Sequence, residues 1–368
     1  MQAEKHIAVI GIGKLGLCFA LNAARAGFRV TGVDVDEAYI EQINGKTFRS
    51  PEPHVNEYLQ ACTRLRATTR IEEAPDADML FVFVATPARA DGSYSHEQVE
   101  RVAGQLLALP APVRQKHLVV GCTTMPGYCD ELARKMLPHG YVVSYNPGFI
   151  AQGNILYDQQ HPDVILIGEA NREAGDAIEE VHRSFCKTQP EVHRMDRLSA
   201  EIAKLAVNCY LTTKISFANL IGDLALKAGA DPARILDAVG ADSRIGKKYL
   251  RYGDGYGGPC LSRDNRALQC YAHTLHQPLP IASATDVVNE MHLHERVRQM
   301  LDAHSGSEVI EVEDVAYKPG TVYIDESQRL RMAVLLAEAG KKVRIADRTE
   351  VIEQVKKIYG DLFSYRVK

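Results

Sequence analysis

The sequence predicts an α/β protein: a parallel, doubly wound sheet at the front of the chain, followed by a long helix. Three observations lead there. A strand, a glycine turn, a helix, a second strand and an acid follow one another at the N-terminus. Apolar runs of strand length then alternate with helical stretches up to residue 195, and a helical stretch from Leu198 to Ala228 continues without proline and without internal glycine until Gly222.

The elements can be justified in order. His6 to Ile10 is apolar and short, as a buried strand is, and Gly11-Ile12-Gly13-Lys14-Leu15-Gly16 follows it directly. Leu17 to Gly27 carries a helical pattern with a glycine at its end, and Arg29 to Asp34 reads as a second strand ending in an acid. A lone GxGxxG is weak, but with its strand, helix and acid it makes a whole dinucleotide-binding unit. The glycines let a pyrophosphate approach the helix N-terminus. Asp34 would accept hydrogen bonds from ribose hydroxyls and repel a 2'-phosphate, so NAD is expected over NADP. Met79 to Val84 and His117 to Gly121 are further buried strands. They run into Ala85-Thr86-Pro87 and Cys122-Thr123-Thr124, which places Thr86 and Thr123 at carboxyl ends of strands, where ligands bind in such sheets. Taken singly, each threonine reads equally well as a cap or turn residue. Val164 to Gly168 is another strand.

The long helical stretch is the length of a spine shared between domains or subunits. Lys204 and Asn208 lie four apart on one face of it, among small and apolar neighbours; alone, such a lysine reads as a snorkelling surface residue. The richest segment is Tyr249 to Asp264. Four glycines fall within positions 253 to 258, where backbone comes close to something. Pro259 suits the first turn of a helix, and Cys260 is thereby placed at a helix N-terminus, whose dipole and amides favour thiolate. Asp264 follows one turn later.

Composition sets bounds. The chain has 368 residues, long enough for two or three domains, and 46% hydrophobic with 24% charged residues is ordinary globular usage. A net charge of −4 gives no electrostatic footprint for nucleic acid or an anionic membrane. Eight cysteines without metal-type spacing, no secretory h-region and no apolar run near membrane-spanning length lead to the expectation of a cytoplasmic protein with reduced thiols and no metal. His292 and His294, two apart on a helix, diverge and do not make a metal site. The charged stretch Glu350 to Lys357 reads as a solvated helical face.

Taken together, Gly11 to Gly16, Asp34, Ala85-Thr86-Pro87, Lys204 with Asn208, Asp242-Ser243-Arg244-Ile245-Gly246, Gly255 to Gly258 with Cys260 and Asp264, and Tyr317-Lys318-Pro319-Gly320-Thr321 resemble the UDP-glucose/GDP-mannose dehydrogenase family. The resemblance implies three parts: an NAD-binding Rossmann domain over 1–195, a central helical dimerisation domain over 196–300, and a shortened Rossmann-like nucleotide-sugar domain over 301–368. It implies oxidation of the C6 alcohol of a nucleotide sugar, UDP-glucose-like, to the acid. Cys260 would form the thiohemiacetal and thioester, Lys204 and Asn208 would stabilise the oxyanion, and Asp264 with Thr123 would handle the water or the alcohol proton. Gly11, Gly13, Leu15, Gly16, Asp34, Thr86, Thr123 and Arg263 would hold NAD. Gln152, Lys204, Asn208, Tyr249, Gly257 and Lys318 would hold substrate, and Arg244 would enter the site of the other subunit of a homodimer.

The chain also departs from the family. Where the family carries two acids, Asn146-Pro147-Gly148-Phe149-Ile150-Ala151-Gln152-Gly153 has Gly148 and Gln152, so the usual base for thioester hydrolysis is absent. Asp325 stands where the family has a substrate-binding arginine, which implies altered nucleotide recognition. A dehydrogenase that stops at the aldehyde or takes a related substrate, such as a nucleotide N-acetylhexosamine or a smaller phosphorylated sugar or nucleoside, and a catalytically weak ligand-binding homologue are the alternatives.

Overall fold

The computed structural model describes residues 5–150 and 153–368. The chain forms two compact units, residues 1–204 and 205–368.

The first unit is built on an eight-stranded sheet. Its strands are β1 (His6–Ile10), β2 (Arg29–Val33), β3 (Leu65–Thr68), β4 (Met79–Val82), β5 (Lys116–Val120), β6 (Tyr141–Tyr145), β7 (Val164–Gly168) and β8 (Glu191–Met195). They are ordered β3-β2-β1-β4-β5-β6-β7-β8. The first six are parallel in the dinucleotide-binding order; β7 meets β6 antiparallel at Tyr145 and Gly168 and pairs in parallel with β8. Burial on both faces follows from the strand period of two. Ile7, Val9 and Phe81 point into one core with Phe19 and Phe185, while Ala8, Ile10, Leu80 and Val82 point into the other with Leu106 and Leu132. The expected strand Met79 to Val84 ends two residues early: Phe83 still donates to the Ile10 carbonyl, but Ala85 N–H turns to the Gln98 side chain.

Two buried carboxylates shape the loops at the ends of these strands. Glu201 is fully buried and accepts from Thr124 Oγ1 (2.8 Å), Gly127 N (2.6 Å) and Cys129 N (2.9 Å), thereby satisfying the start of the helix Tyr128–Met136. Burial pushes its carboxyl up, and these hydrogen bonds oppose the shift. Glu52 does the same for the helix Ile155–Gln160, accepting from Gly153 N and Ile155 N at 2.8 and 3.1 Å.

The second unit begins within the helix Arg197–Lys227 and contains the helices Pro232–Ala241, Gly258–Thr274 and Pro280–Ala303. It ends in a parallel three-stranded sheet of β9 (Val309–Glu313), β10 (Lys342–Asp347) and β11 (Ser364–Val367), ordered β11-β10-β9. The alternation in Val309 to Glu313 is what a sheet with one covered face requires. Ile310, Val312, Val343 and Ile345 are buried, while Glu311 and Glu313 meet Arg366 and Lys368 on the open face. The charged stretch at 350–357 lies in the helix Thr349–Tyr359, where Glu350, Glu353, Lys356 and Lys357 form the solvated face. Val351, Ile352 and Val355 are buried, so the helix is amphipathic and packs by one side.

His96 and His182 give the first unit a definite acid sensitivity. His96 stacks on Tyr128 at 3.7 Å and accepts the Met125 N–H through Nε2; His182 Nε2 lies 2.6 Å from Asn146 Oδ1. Burial pushes both imidazoles down from 6.5 to about 4, since each is held neutral. A folded pKa below the unfolded one means stability that is complete above pH 6.5 and lost as pH falls toward 4. Melting temperature followed by circular dichroism should therefore be flat above pH 6.5 and decline below it, with a shallower decline in His96→Gln; parallel curves for the two proteins would refute the assignment.

Candidate active site

The glycine turn of the first unit is built by close approach at two positions and by open space at a third. Gly11 has φ +86°, and a Cβ there would lie 2.6 Å from the Phe83 carbonyl oxygen. A Cβ on Gly16 would overlap the Gly11 carbonyl, which is how the helix Lys14–Arg25 packs so near the strand. At Gly13 a Cβ would meet nothing within 4 Å. That residue caps the helix without any side-chain hydrogen bond and presents bare backbone at the helix start. A pyrophosphate fits this cradle, since it needs amide donors and a surface without side chains. Asp34 stands just beyond β2, half-buried, with its amide bonded to the Thr68 carbonyl at 3.2 Å. Leu15 is partly buried in the same turn, and its carbonyl accepts from Gln159. Thr86 and Thr123 are brought together as expected of two adjacent strand ends: Thr86 Oγ1 donates to the Thr123 carbonyl at 2.7 Å. Lys204 is buried, with its ammonium 4.6 Å from the centre of the Phe149 ring. Gln152 lies outside the described residues.

In the second unit, the segment around Cys260 explains its own glycines. A Cβ on Gly255 would overlap Asn289 Oδ1, one on Gly257 would overlap the Glu326 carbonyl, and one on Gly258, at φ +80°, would overlap the Tyr317 ring. The close approach expected there is thus made to the protein's own side chains and backbone. Gly258 N–H also bonds to the Asp325 carbonyl at 3.1 Å. This brings segments 317 and 325–326 against the first turn of the helix Gly258–Thr274, with Pro259 in that turn as predicted. Cys260, in the same turn, is exposed.

Exposure separates Cys260 from the other thiols. Burial pushes Cys209 up to about 12 and Cys186 up to about 11, and it pushes Cys18 and Cys129 up further. Such thiols are poor nucleophiles at neutral pH. One turn from Cys260, Asp264 is buried and accepts from Asn208 Nδ2 at 2.5 Å, with Arg263 Nε 3.8 Å from its other oxygen. Asp264 thus lies one turn from the thiol with its carboxylate held in place by the Asn208 amide.

Other expected site residues stand apart on the surface. Arg244 is folded back on Asp242, donating through Nε (3.0 Å) and Nη2 (2.7 Å), and that carboxylate raises its pKa while the pairing lowers that of Asp242. Tyr249 is 53% exposed and has φ 61°, a left-handed conformation that costs a tyrosine about 1 kcal/mol. Lys318 is exposed at a turn in which its carbonyl accepts from Thr321. Among the described residues, no group of three or more His, Cys, Asp or Glu is placed to hold a metal, and no helix is long and apolar enough to cross a membrane. A cavity of about 560 Å³ in the second unit, lined by Leu226, Leu236, Lys247, Leu250 and Arg251 among others, includes none of the expected site residues.

Comparison with known proteins gives one family over most of the chain. The NAD binding domain of the UDP-glucose/GDP-mannose dehydrogenase family matches residues 5–186, and the central domain of that family matches residues 198–291. A UDP-glucose 6-dehydrogenase of Bacillus subtilis is 30% identical over 354 residues, covering 93% of this chain and 79% of that protein. A GDP-mannose 6-dehydrogenase of Azotobacter vinelandii is 28% identical, covering 93% and 81%. A UDP-glucose dehydrogenase structure from Pyrobaculum islandicum matches with a TM-score of 0.91 at 31% identity, over 99% of this chain and 86% of that one.

The cradle makes a contrast that titration can check. Gly13→Ala should leave the melting temperature unchanged and weaken NAD binding, because its methyl enters open space where the pyrophosphate would lie. Gly16→Ala should destabilise the first unit itself by several kcal/mol, since its methyl meets backbone that cannot yield. In the same fluorescence titrations Asp34→Ala should narrow the preference for NAD over NADP. Equal effects of the two alanines on melting would overturn the reading.

Proposed function

Because the chain belongs to the UDP-glucose/GDP-mannose dehydrogenase family, we propose that it oxidises the C6 alcohol of a UDP-glucose-like nucleotide sugar to the acid through a covalent bond to Cys260. The observation that carries this reading is the exposed thiol in the first turn of its helix, one turn from a buried, donor-held Asp264. NAD, held through Gly11 to Gly16 and Asp34, supplies the hydride acceptor. The residues of the chain do the rest. Cys260 Sγ adds to the C6 carbonyl carbon of the aldehyde, and the carbonyl oxygen becomes an oxyanion that a cation and an amide, Lys204 and Asn208, would stabilise. Loss of the second hydride leaves a thioester. Water adds to its carbonyl, the C–S bond breaks, and the electron pair returns to Cys260 as thiolate. Asp264 is the group we assign to accept protons, with Thr123 assisting. Thr86 and Arg263 complete the NAD contacts, and Tyr249, Gly257 and Lys318 those to substrate.

We further assign a homodimer. On the helix Arg197–Lys227, Tyr210, Phe217 and Leu224 are 63%, 46% and 62% exposed at intervals of seven, and Leu220 joins the same side. An apolar stripe of this length needs a cover, and a second copy of the helix presents the same stripe. Arg244, wholly exposed, would leave Asp242 to reach the partner's substrate. Sedimentation should give a dimer, and Arg244→Ala should raise KM without dissociating it; an active monomer would defeat the assignment.

Thioester release is the step this sequence weakens. General acid–base help is worth about 10²–10⁴-fold, and neither Gly148 nor Gln152 supplies a carboxylate. With UDP-glucose and excess NAD, the enzyme should give a burst of NADH followed by slow turnover, and intact-mass analysis should find an acyl adduct that Cys260→Ala abolishes. Gly148 does not have positive φ, and among the described residues a Cβ there would meet only the Ile150 side chain, Cδ1 at 2.9 Å and Cγ1 at 3.3 Å, which has to turn aside for a side chain to fit. With that movement, Gly148→Glu should speed the slow phase. Linear turnover with two NADH per sugar and no adduct would show that another base suffices; one NADH and free aldehyde would show a two-electron enzyme.

A further inference from the structure

The loop that leads into the Cys260 helix is held by two pairs of polar side chains from two helices of the second unit. On the helix Arg197–Lys227, Asn219 and Asp223 lie one turn apart; on the helix Pro280–Ala303, Asn289 and His292 do. Asn219 accepts the Gly253 N–H at 3.0 Å and donates to the Asp254 carbonyl at 3.3 Å. Asn289 accepts the Tyr256 N–H and donates to the Tyr256 carbonyl, both at 2.9 Å. Asp223 accepts from the Tyr252 hydroxyl at 2.9 Å. The ring of Tyr252 lies where a side chain at Gly222 would be, so the single glycine inside that helix is the notch that seats it.

His292 closes the arrangement. It is 2% exposed, with Nδ1 2.8 Å from Asp223 Oδ2 and Nε2 2.6 Å from the Gly253 carbonyl oxygen. The ring therefore spans the Asp223 side chain and the Gly253 backbone, tying the helix Arg197–Lys227 to the loop. The surrounding charges are few. Arg296 on the same helix lies near Tyr252, Glu295 pairs with Lys227 and Arg298, and Asp254 pairs with Arg329.

We propose that His292 is a positioning residue for the reaction: with Asp223 it fixes the Gly253 carbonyl, and through the loop 253–258 it sets where Cys260 stands. The proposal rests on the reading of Cys260 as nucleophile. Gly253, Gly255 and Gly257 have many conformations open to them, and these side chains select one. His292 does not touch substrate in this account; it acts through the loop.

Hydrogen exchange on the full-length protein tests this without any substrate. In His292→Gln the Gln carbonyl faces the Asp223 carboxylate when its amide reaches Gly253. Exchange at the Gly253, Tyr256 and Gly258 amides should rise, while β9 and β10 stay as protected as before. Pairing Asp223→Asn with His292→Gln gives the Gln carbonyl an amide donor to face, so the double variant should restore protection. Turnover of UDP-glucose should follow the same pattern: kcat falls by about a hundredfold in His292→Gln, as a nucleophile displaced by an ångström would cause, with KM and NAD affinity unchanged, and recovers in the double variant. Unchanged loop exchange in His292→Gln, a rise across the whole second unit, or no recovery in the double variant would each overturn the proposal. If the parent protein turns over no nucleotide sugar, the functional reading fails while the exchange data still decide the role of His292.

Discussion

The second unit depends on one constraint: a glycine-rich loop with little side-chain mass of its own must be held by its backbone. Fixing each residue of such a loop costs about 1–2 kcal/mol of conformational entropy, and glycine sits at the high end. The offset comes from buried side chains that bond main-chain groups in pairs, Asn219 across Gly253 and Asp254 and Asn289 across both sides of Tyr256. Gln328 adds a second bond to the Tyr256 carbonyl, at 2.9 Å, from the part of the unit that carries the small sheet. A buried amide that left such a group unmet would be costly, so these contacts are made together or not at all.

The first unit meets the opposite requirement. Its glycine turn has to stay clear of side chains, and it achieves this by packing Gly11 and Gly16 against backbone while Gly13 faces outward. The neighbouring loops cannot be loose as well. Glu201 and Glu52, both buried, supply the caps that the helices Tyr128–Met136 and Ile155–Gln160 do not find in their own first residues. Two long-range carboxylates therefore rigidify the rim around a turn of bare glycine backbone.

Much of this was legible in the sequence, for a physical reason: elements fixed by local periodicity and by backbone sterics leave local marks. The strand at His6, the turn at Gly11 to Gly16, the acid at Asp34, the long helix and the helix start at Pro259 all stand where the pattern put them. What could not be read was the identity of the contact that each glycine serves, because Asn289, Tyr317 and Glu326 are distant in sequence. In the sequence His292 drew notice only to be set aside as a metal ligand, since its two partners, Asp223 and the Gly253 carbonyl, have no sequence signature linking them to it. The spacing of Asn219 with Asp223, and of Asn289 with His292, was the available signal: polar pairs one turn apart on helices that are otherwise packed. The reversal of direction at β7 also escaped, because a buried strand looks alike in either orientation.

Gly222 and Tyr252 show how such a loop constrains the history of the chain. A side chain at 222 is excluded while the ring is in place, and a smaller residue at 252 would leave a groove in the long helix and take away the hydroxyl that Asp223 accepts. Neither position can change first without loss, so a chain that differs at one should differ at the other.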